Sequence, residues 1–552
     1  MRRAARAEPR VFYLLTAGVL VIAALPRLIA VAYGLPQVYN ADEPHVVNIA
    51  VSLAGSLRPF SFKYPTLWPM ILAAAYGIWF VFWSGFGLLR GTLDFAARYA
   101  FAPTGFFLIA RLLATASQLL ALVIVAREER AVNKTRWAYG AFVLAVAPTL
   151  VELAHASKPD SLMFLFGALA TTAALQHQRE GTRGPLLFSG LFAGLMCSTQ
   201  YTAAPSLLMV PLAWILCTKR PGPLRWLFQA GLLAVVGFAA GTPYAFIEPG
   251  RFAADLAYNG ELGKLLHYDA WESVQLVAKN IFTFGGEGSL VGLAALIGFF
   301  QVFGKDAKRA LLLGLPIVGY FAVLSASFNG GVSRYLVGAY PFLALLAGEG
   351  FSWLAGDRAW RRALVVALAV APGLFLSWRQ DAELSHPDTR AQATQWLAAA
   401  VAPGQTLLLD QPHAGPLVVM EKEQCLELAA RAEKNGSPRA RLFRAMAQKH
   451  PGGGYRIFRI QRAAKDLWSS PRHVAESQAD GDFLDVRPGL DTARAARVDW
   501  VVTSSYGADP RRVRELATFF NELSAQAEFV REFPSQPGVT TGPWLRVWHL
   551  RR

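Results

Sequence analysis

The chain has 552 residues, 54% hydrophobic and only 17% charged, so its apolar surface exceeds what one water-shielded core can hide and most of it must face lipid. A formal net charge of +16 would suggest nucleic acid in a soluble chain. Here Lys and Arg gather in short loops between apolar runs, which argues against nucleic acid and for a polytopic α-helical protein whose partners include membrane lipids.

In chain order, runs long enough to cross about 30 Å of hydrocarbon begin near Val11, Thr104, Trp137, Asp160, Leu186, Thr202, Trp226, Ile281, Ala310, Tyr335 and Ala363. They predict about eleven transmembrane helices. The first, Val11 to Ala32, is too long for a signal-peptide core and no small-residue cleavage pattern follows it, so it reads as a retained anchor. Basic loops at Arg127 to Arg136, Arg179 to Arg183, Lys219 to Arg225, Lys305 to Arg309 and Arg358 to Arg362 join Arg2, Arg3, Arg6 and Arg10 on one side. The excess of positive charge makes that side, and the N-terminus, cytoplasmic. The opposite face collects Asp42 and Glu43, His155 to Asp160, Gln200 and Tyr201, Glu248 to Glu287, and Ser333 to Tyr335.

The stretch Tyr64 to Leu89 breaks this parity, because crossing there would force the basic Arg127 to Arg136 loop outside. It is expected in the interface, with Trp68, Tyr76, Trp79, Phe82 and Trp83 at headgroup depth and Gly77, Gly85 and Gly87 allowing a bend; a tilted ordinary span is the alternative. The first outer loop, about 33–103, then carries interfacial helices. Residues 1–379 form the transmembrane domain, and 380–552 an extracytoplasmic domain, periplasmic in a Gram-negative cell. In that tail, helix-like segments (Asp388 to Ala400, Val513 to Ala527) alternate with β-rich runs at Thr406 to Leu409, Tyr455 to Ile460, Trp500 to Thr503 and Trp544 to Leu550, which predicts a small α/β domain. Asn435 to Gly454 reads as a mobile loop. Cysteines at 197, 217 and 425 give no basis for a disulfide framework.

Three elements carry candidate chemistry. Asp42 and Glu43 precede a helix-like run, and Lys63 and Tyr64 follow it. Such an acidic pair fits an N-terminal cap, and equally a base beside an anion held by Lys63, Lys158 and Arg334. His155, Lys158 and Asp160 open the fourth span, where Pro159 and Asp160 suit a helix start and Lys158 with the helix N–H groups suits a phosphate. Arg334 and Tyr335 open a late span: a headgroup anchor, or a fork for phosphate oxygens with Tyr335 and Tyr201 against a sugar. His45, His155 and His267 with Asp42 and Glu43 offer donors for a divalent metal ion without diagnostic spacing, so no cofactor is certain. No phosphate-cradling glycine loop is visible, which points to a lipid rather than a soluble nucleotide as carrier of an activated substrate.

At these residues the sequence resembles the polyprenyl-phosphate-dependent, membrane-embedded glycosyltransferases of the GT-C fold, especially bacterial relatives of protein O-mannosyltransferases and of aminoarabinose transferases acting on lipid A. The matching pieces are Asn40-Ala41-Asp42-Glu43, Lys63-Tyr64-Pro65, Lys158-Pro159-Asp160, Ser333-Arg334-Tyr335 and Asp388-Thr389-Arg390 to Trp396-Leu397. The resemblance implies a sugar transfer with inversion outside the cytoplasmic membrane, from a polyprenyl-phosphate-linked donor to a hydroxyl of a glycan, lipopolysaccharide, lipid or protein acceptor. Asp42 would be the base, with Glu43 beside it, and Lys63, Lys158 and Arg334 would stabilise the phosphate leaving group; Tyr64, His155, Asp160, Tyr201 and Tyr335 would line the substrate. The family's loop more often has an aromatic after the acidic pair and two prolines in the later motif, where this chain has Pro44, His45 and a lone Pro65. A flippase-like transporter and a non-catalytic glycan-assembly protein are the competing readings; the first expects charges in mid-span, the second a dispensable Asp42.

Overall fold

The computed structural model describes residues 2–40, 42–133, 138–264, 269–283, 290–327, 332–410, 413–437, 439–461, 481–505 and 514–551. Its contacts divide the chain into two units. One comprises Met1–Val31, Ser61–Leu72 and Leu108–Asp381; the other comprises Ala32–Phe60, Ala73–Phe107 and Ala382–Arg552. Segments 32–60 and 73–107, which hydropathy alone assigns to the transmembrane part, thus group with the tail.

Among the described residues six helices are long and apolar enough to cross a membrane: Phe12–Ile29, Leu67–Gly85, Thr104–Val132, Leu224–Gly241, Ala307–Ala326 and Ala359–Leu384. The count of about eleven spans is not confirmed, because several of the apolar runs are interrupted. The run from Trp137 divides into Tyr139–Ala145 and Pro148–Ala154, since Pro148 lacks an N–H and suits a first helical turn. The run from Thr202 opens with a tight 3-10 stretch, Tyr201–Leu208, holding Pro205, before Met209–Ile215. The run from Tyr335 likewise opens with Ser333–Ala339, and Pro341 sits in the first turn of Tyr340–Ala355. Tyr64 to Leu89 contains one continuous 19-residue helix, Leu67–Gly85, that passes Gly77 without the bend allowed for there.

Irregular backbone at membrane depth survives only where protein satisfies its polar groups. The first unit does this at both ends of the seven-residue helix Tyr139–Ala145, every residue of which is buried. Glu129 accepts from the N–H groups of Gly140 at 2.8 Å and Ala141 at 3.2 Å. At the other end the fully buried Arg27 donates to the carbonyls of Ala145 at 2.6 Å and Leu144 at 3.3 Å. A carboxylate at the N-terminus and a guanidinium at the C-terminus both oppose the helix dipole. Close helix approach elsewhere in this unit depends on small residues: Cβ atoms on Gly190 and Gly194 would strike the carbonyls of Ala230 and Ala234, and one on Gly298 the carbonyl of Leu346.

The second unit is built on a six-stranded sheet. Its strands are β1 (Thr406–Leu409), β2 (Arg456–Ile460), β3 (Asp482–Leu484), β4 (Trp500–Ser504), β5 (Glu528–Phe533) and β6 (Leu545–His549), in the order β3-β2-β1-β4-β6-β5. The first four are parallel, and β6 runs antiparallel to both β4 and β5. Period-two alternation sends Leu408 and Val501 to one face with Phe519 and Leu523, and Leu407, Leu409 and Val502 to the other with Ala393 and Leu397. Both faces are therefore covered. The stretch Asn435 to Gly454, expected as a mobile loop, contains the helix Ala440–Gln448, with Phe443, Ala445 and Ala447 buried.

Candidate functional site

In the second unit the chain enters the acidic pair through a constrained loop. Gly34 and Val38 both have positive φ, 68° and 54°; for the β-branched Val38 this costs on the order of 1–3 kcal/mol and needs surroundings that enforce it. The Tyr39 ring supplies part of that. It packs on Gly34, where a Cβ would approach to 2.7 Å, and the Arg390 guanidinium lies 3.6 Å from its centroid. Burial, reinforced by Asp388, pushes the Tyr39 phenol above its ordinary range, so it stays neutral. Next in the chain, the Asn40 side-chain carbonyl accepts from the Asp42 N–H at 3.0 Å, an Asx turn.

Asp42 then stands immediately before the helix Glu43–Ser52, and its half-buried carboxylate makes no capping bond to that helix. Asp42 holds the N-cap position and Glu43 the first turn, so the pair stands at the positive end of the helix without a side-chain capping bond from Asp42. Glu43 is 1% exposed and turns inward, within electrostatic range of Tyr76. The helix is anchored by buried Val46, Val47, Ile49 and Ala50, and by Asn48, which accepts from the Tyr99 hydroxyl at 2.5 Å. The two acids thus differ in surroundings: Asp42 keeps partial access to solvent and Glu43 does not.

In the first unit Lys158 and Asp160 precede and begin the helix Asp160–Glu180. Asp160 is fully buried, and Arg334 and Lys158 both act on its carboxylate electrostatically, with Gln200 reaching it as well. Residues 158, 200 and 334 lie on three separate elements, so only the fold makes this cluster. The Arg334 guanidinium lies 5.3 Å from the Tyr335 ring. The Lys63 ammonium lies 4.2 Å from the Tyr258 ring. Its segment is clipped down by three bonds: Phe62 N–H to Asp255 at 2.7 Å, the Asn259 amide to the Lys63 carbonyl at 2.7 Å, and the Tyr201 hydroxyl to the Phe62 carbonyl at 3.0 Å. Tyr201 therefore serves that segment, and Tyr64 is half-buried within it.

His155 is turned into the bundle rather than toward an opening. It is 4% exposed, donates through Nε2 to the Pro26 carbonyl at 3.0 Å, and lies 3.8 Å from Asp381. Among the described residues no three His, Cys, Asp or Glu side chains gather as metal ligands; His267 lies outside them. Two pockets, one of about 20 Å³ among Val146, Phe351 and Pro372 and one of about 510 Å³ beside Trp396 and Arg531, contain none of the expected site residues. Sequence reasoning placed Gln200 on the outer face and Arg390 in a tail motif without a role for either, and missed Arg27, Glu129 and the pairing of Tyr39 with Arg390. Arg27 carried a signal, as a cation inside an apolar run; Asp388-Thr389-Arg390 carried another, as a capping pattern.

Two solved structures of ArnT from Cupriavidus metallidurans are similar to this chain over nearly all of both lengths. The apo form gives a TM-score of 0.54 at 15% identity, covering 98% of this chain and 98% of that one. The form bound to undecaprenyl phosphate gives 0.51 at 14% identity, covering 96% and 98%. No protein-family profile matches the chain, and no curated protein matches it by sequence. The chain has the fold of these proteins, a GT-C architecture with a helical membrane part and a sheet-bearing C-terminal region. That likeness defines the fold; the chemistry rests on the residues.

Proposed function

We propose that this chain is a glycosyltransferase of the cytoplasmic (inner) membrane, moving a sugar from a polyprenyl-phosphate-linked donor to a hydroxyl of a surface glycan, lipopolysaccharide or protein on the outer side. What carries the reading is that Lys158 and Arg334, from distant elements, both act electrostatically on the buried carboxylate of Asp160. Paired cations of this kind suit a phosphate headgroup, with Arg offering a two-pronged contact. The likeness in fold to a protein solved with undecaprenyl phosphate bound supports the same donor class.

In this reading the acceptor oxygen attacks the anomeric carbon from the face opposite the phosphate, the bond from that carbon to the phosphate oxygen breaks, and configuration inverts. The acceptor proton passes to Asp42. The polyprenyl phosphate leaves with an added negative charge, which cations stabilise more in the transition state than in the bound donor. Lys158 and Arg334 supply that role, with Lys63 as a third cation; Tyr64, Tyr201, Tyr335 and Asp160 shape the surroundings, and His155 supports them from inside.

The test is a deletion strain complemented with wild type or Asp42→Asn, with lipopolysaccharide and surface glycans compared by mass spectrometry. The amide keeps the size of the carboxylate and cannot take the proton, so the product should fall to the level of the deletion while the protein still inserts. A wild-type glycan profile from Asp42→Asn removes the base assignment. Interrupted helices also occur in transporters; a transporter would lose no covalent product in this comparison.

A further inference from the structure

Among the described residues, several side chains of the tail hold the segments 32–60 and 73–107 within the second unit. Arg390 lies over Tyr39 at 3.6 Å. Arg441 donates to the Gly55 carbonyl at 2.9 Å, Lys449 pairs with Asp94 at 2.7 Å, and His450 packs edge-on against Phe101. The last three grip positions after the helix Glu43–Ser52 or beyond it. Among the described residues, Arg390 grips the chain on the side from which it enters Asp42, and the Ala391 N–H reaches the Tyr39 phenol oxygen there as well.

That contact is built for rigidity. Arg390 is 4% exposed and every arm of its fork is committed: Nε and Nη2 donate to the two Asp388 oxygens at 2.8 and 2.6 Å, and Nη1 to the His413 carbonyl at 2.6 Å. Asp388 in turn accepts from the Arg390 N–H at 2.8 Å as the cap of the helix Thr389–Ala400. Thr389 fixes the helix start through its N–H to the Thr541 carbonyl at 3.0 Å and its hydroxyl to the Pro543 carbonyl at 2.6 Å. A guanidinium so held cannot follow the ring; the ring must sit where the guanidinium is. Between Tyr39 and Asp42 lie only two residues, one of them the Asn40 that accepts from the Asp42 N–H.

We propose that Arg390 is a positioning residue: through the face of Tyr39 it sets the strained 34–40 loop, and with it the direction of the Asp42 carboxylate, so that the C-terminal domain serves the transfer step. The proposal rests on Asp42 as the base. It deepens that reading, and it differs from a purely architectural role because the guanidinium–ring contact needs an aromatic face and does not need the phenol oxygen.

The experiment uses the full-length protein with Tyr39→Phe, Tyr39→Ala, Arg390→Lys and Asp42→Asn in the deletion strain. Product is read by mass spectrometry, and purified protein is probed with undecaprenyl phosphate alone and by amide exchange of residues 33–52. Tyr39→Phe should keep wild-type product. Tyr39→Ala and Arg390→Lys should lower it on the order of 10-fold to 100-fold, as expected when a reacting group is displaced by about 1 Å, with faster exchange confined to 33–52 and undecaprenyl phosphate binding unchanged. Wild-type product from Tyr39→Ala overturns the proposal, as does equal loss in Tyr39→Phe and Tyr39→Ala. If Arg390→Lys does not fold, the two Tyr39 variants decide alone. Wild-type product from Asp42→Asn instead overturns the base assignment, a separate failure seen in the same assay.

Discussion

Arg27 shows how much one side chain can hold together inside an apolar bundle. Its guanidinium donates to Gln118 at 2.7 Å and to the carbonyls of Ala23, Ala145 and Leu144, and Gln118 passes the network on to Ser161 and the Leu150 carbonyl, both at 2.8 Å. Arg27→Met keeps the bulk and takes this donor from the buried Gln118 oxygen and Ala145 carbonyl, each loss costing roughly 1–3 kcal/mol. The expected outcome is a clearly lower unfolding temperature in detergent; an unchanged one refutes the capping role. Arg334 makes a different prediction. Arg334→Lys keeps the charge and loses the fork, so undecaprenyl phosphate binding should weaken about tenfold, roughly 1.4 kcal/mol, while the fold persists. Binding at wild-type strength would remove Arg334 from the phosphate site.

Helix pairs in this protein are set by the absence of side chains. The helices Arg183–Cys197 and Leu224–Gly241 approach so closely that a Cβ at Gly194 meets the Ala234 backbone, whereas one at Gly231 meets nothing within 4 Å. Close approach through small residues is how membrane helices gain packing without a hydrophobic drive between them. Gly194→Val should therefore cost about 1–3 kcal/mol from overpacking and lower the unfolding temperature. Gly231→Ala should be neutral or stabilising by up to about 1 kcal/mol, through helix propensity. The same temperature scan measures both, and equal effects would contradict the packing account. The interrupted runs belong at this scale too: proline spacing at 148, 205 and 341 marks where helices restart, but hydropathy windows average across such points and return whole spans.

At the scale of the whole chain, the second unit gathers 32–60 and 73–107 with the tail, so residues 382–552 on their own lack part of their packing. In a soluble 382–552 fragment the helix Ala440–Gln448, with Arg441 and Lys449 deprived of Gly55 and Asp94, should exchange its amides faster than in the intact chain, while β1, β2 and β4 stay protected. Equal protection of that helix in both would refute the grouping. Lys449 holds the Asp94 carboxyl below the ordinary carboxylate range, so the pair's contribution is present above that range and is lost as pH falls through the lowered value; acidification and Lys449→Ala should loosen the same helix. Some of this was legible beforehand. Thr406 to Leu409 and Trp500 to Thr503 are read from sequence almost to the residue, because short apolar runs between turns fit strands covered on both faces. β5 was missed, since five of its six residues are exposed and carry no alternation. Asp42, Lys158 and Arg334 stood out as polar groups beside apolar runs. What the sequence determined by itself is the solvent each segment needs, lipid or water, because that preference is summed residue by residue. What only the tertiary structure decided is which distant groups share a partner: Arg27 with carbonyls 117 and 118 residues away, Asp160 with Arg334, Tyr39 with Arg390. Such pairings depend on distance in space, which no local periodicity encodes.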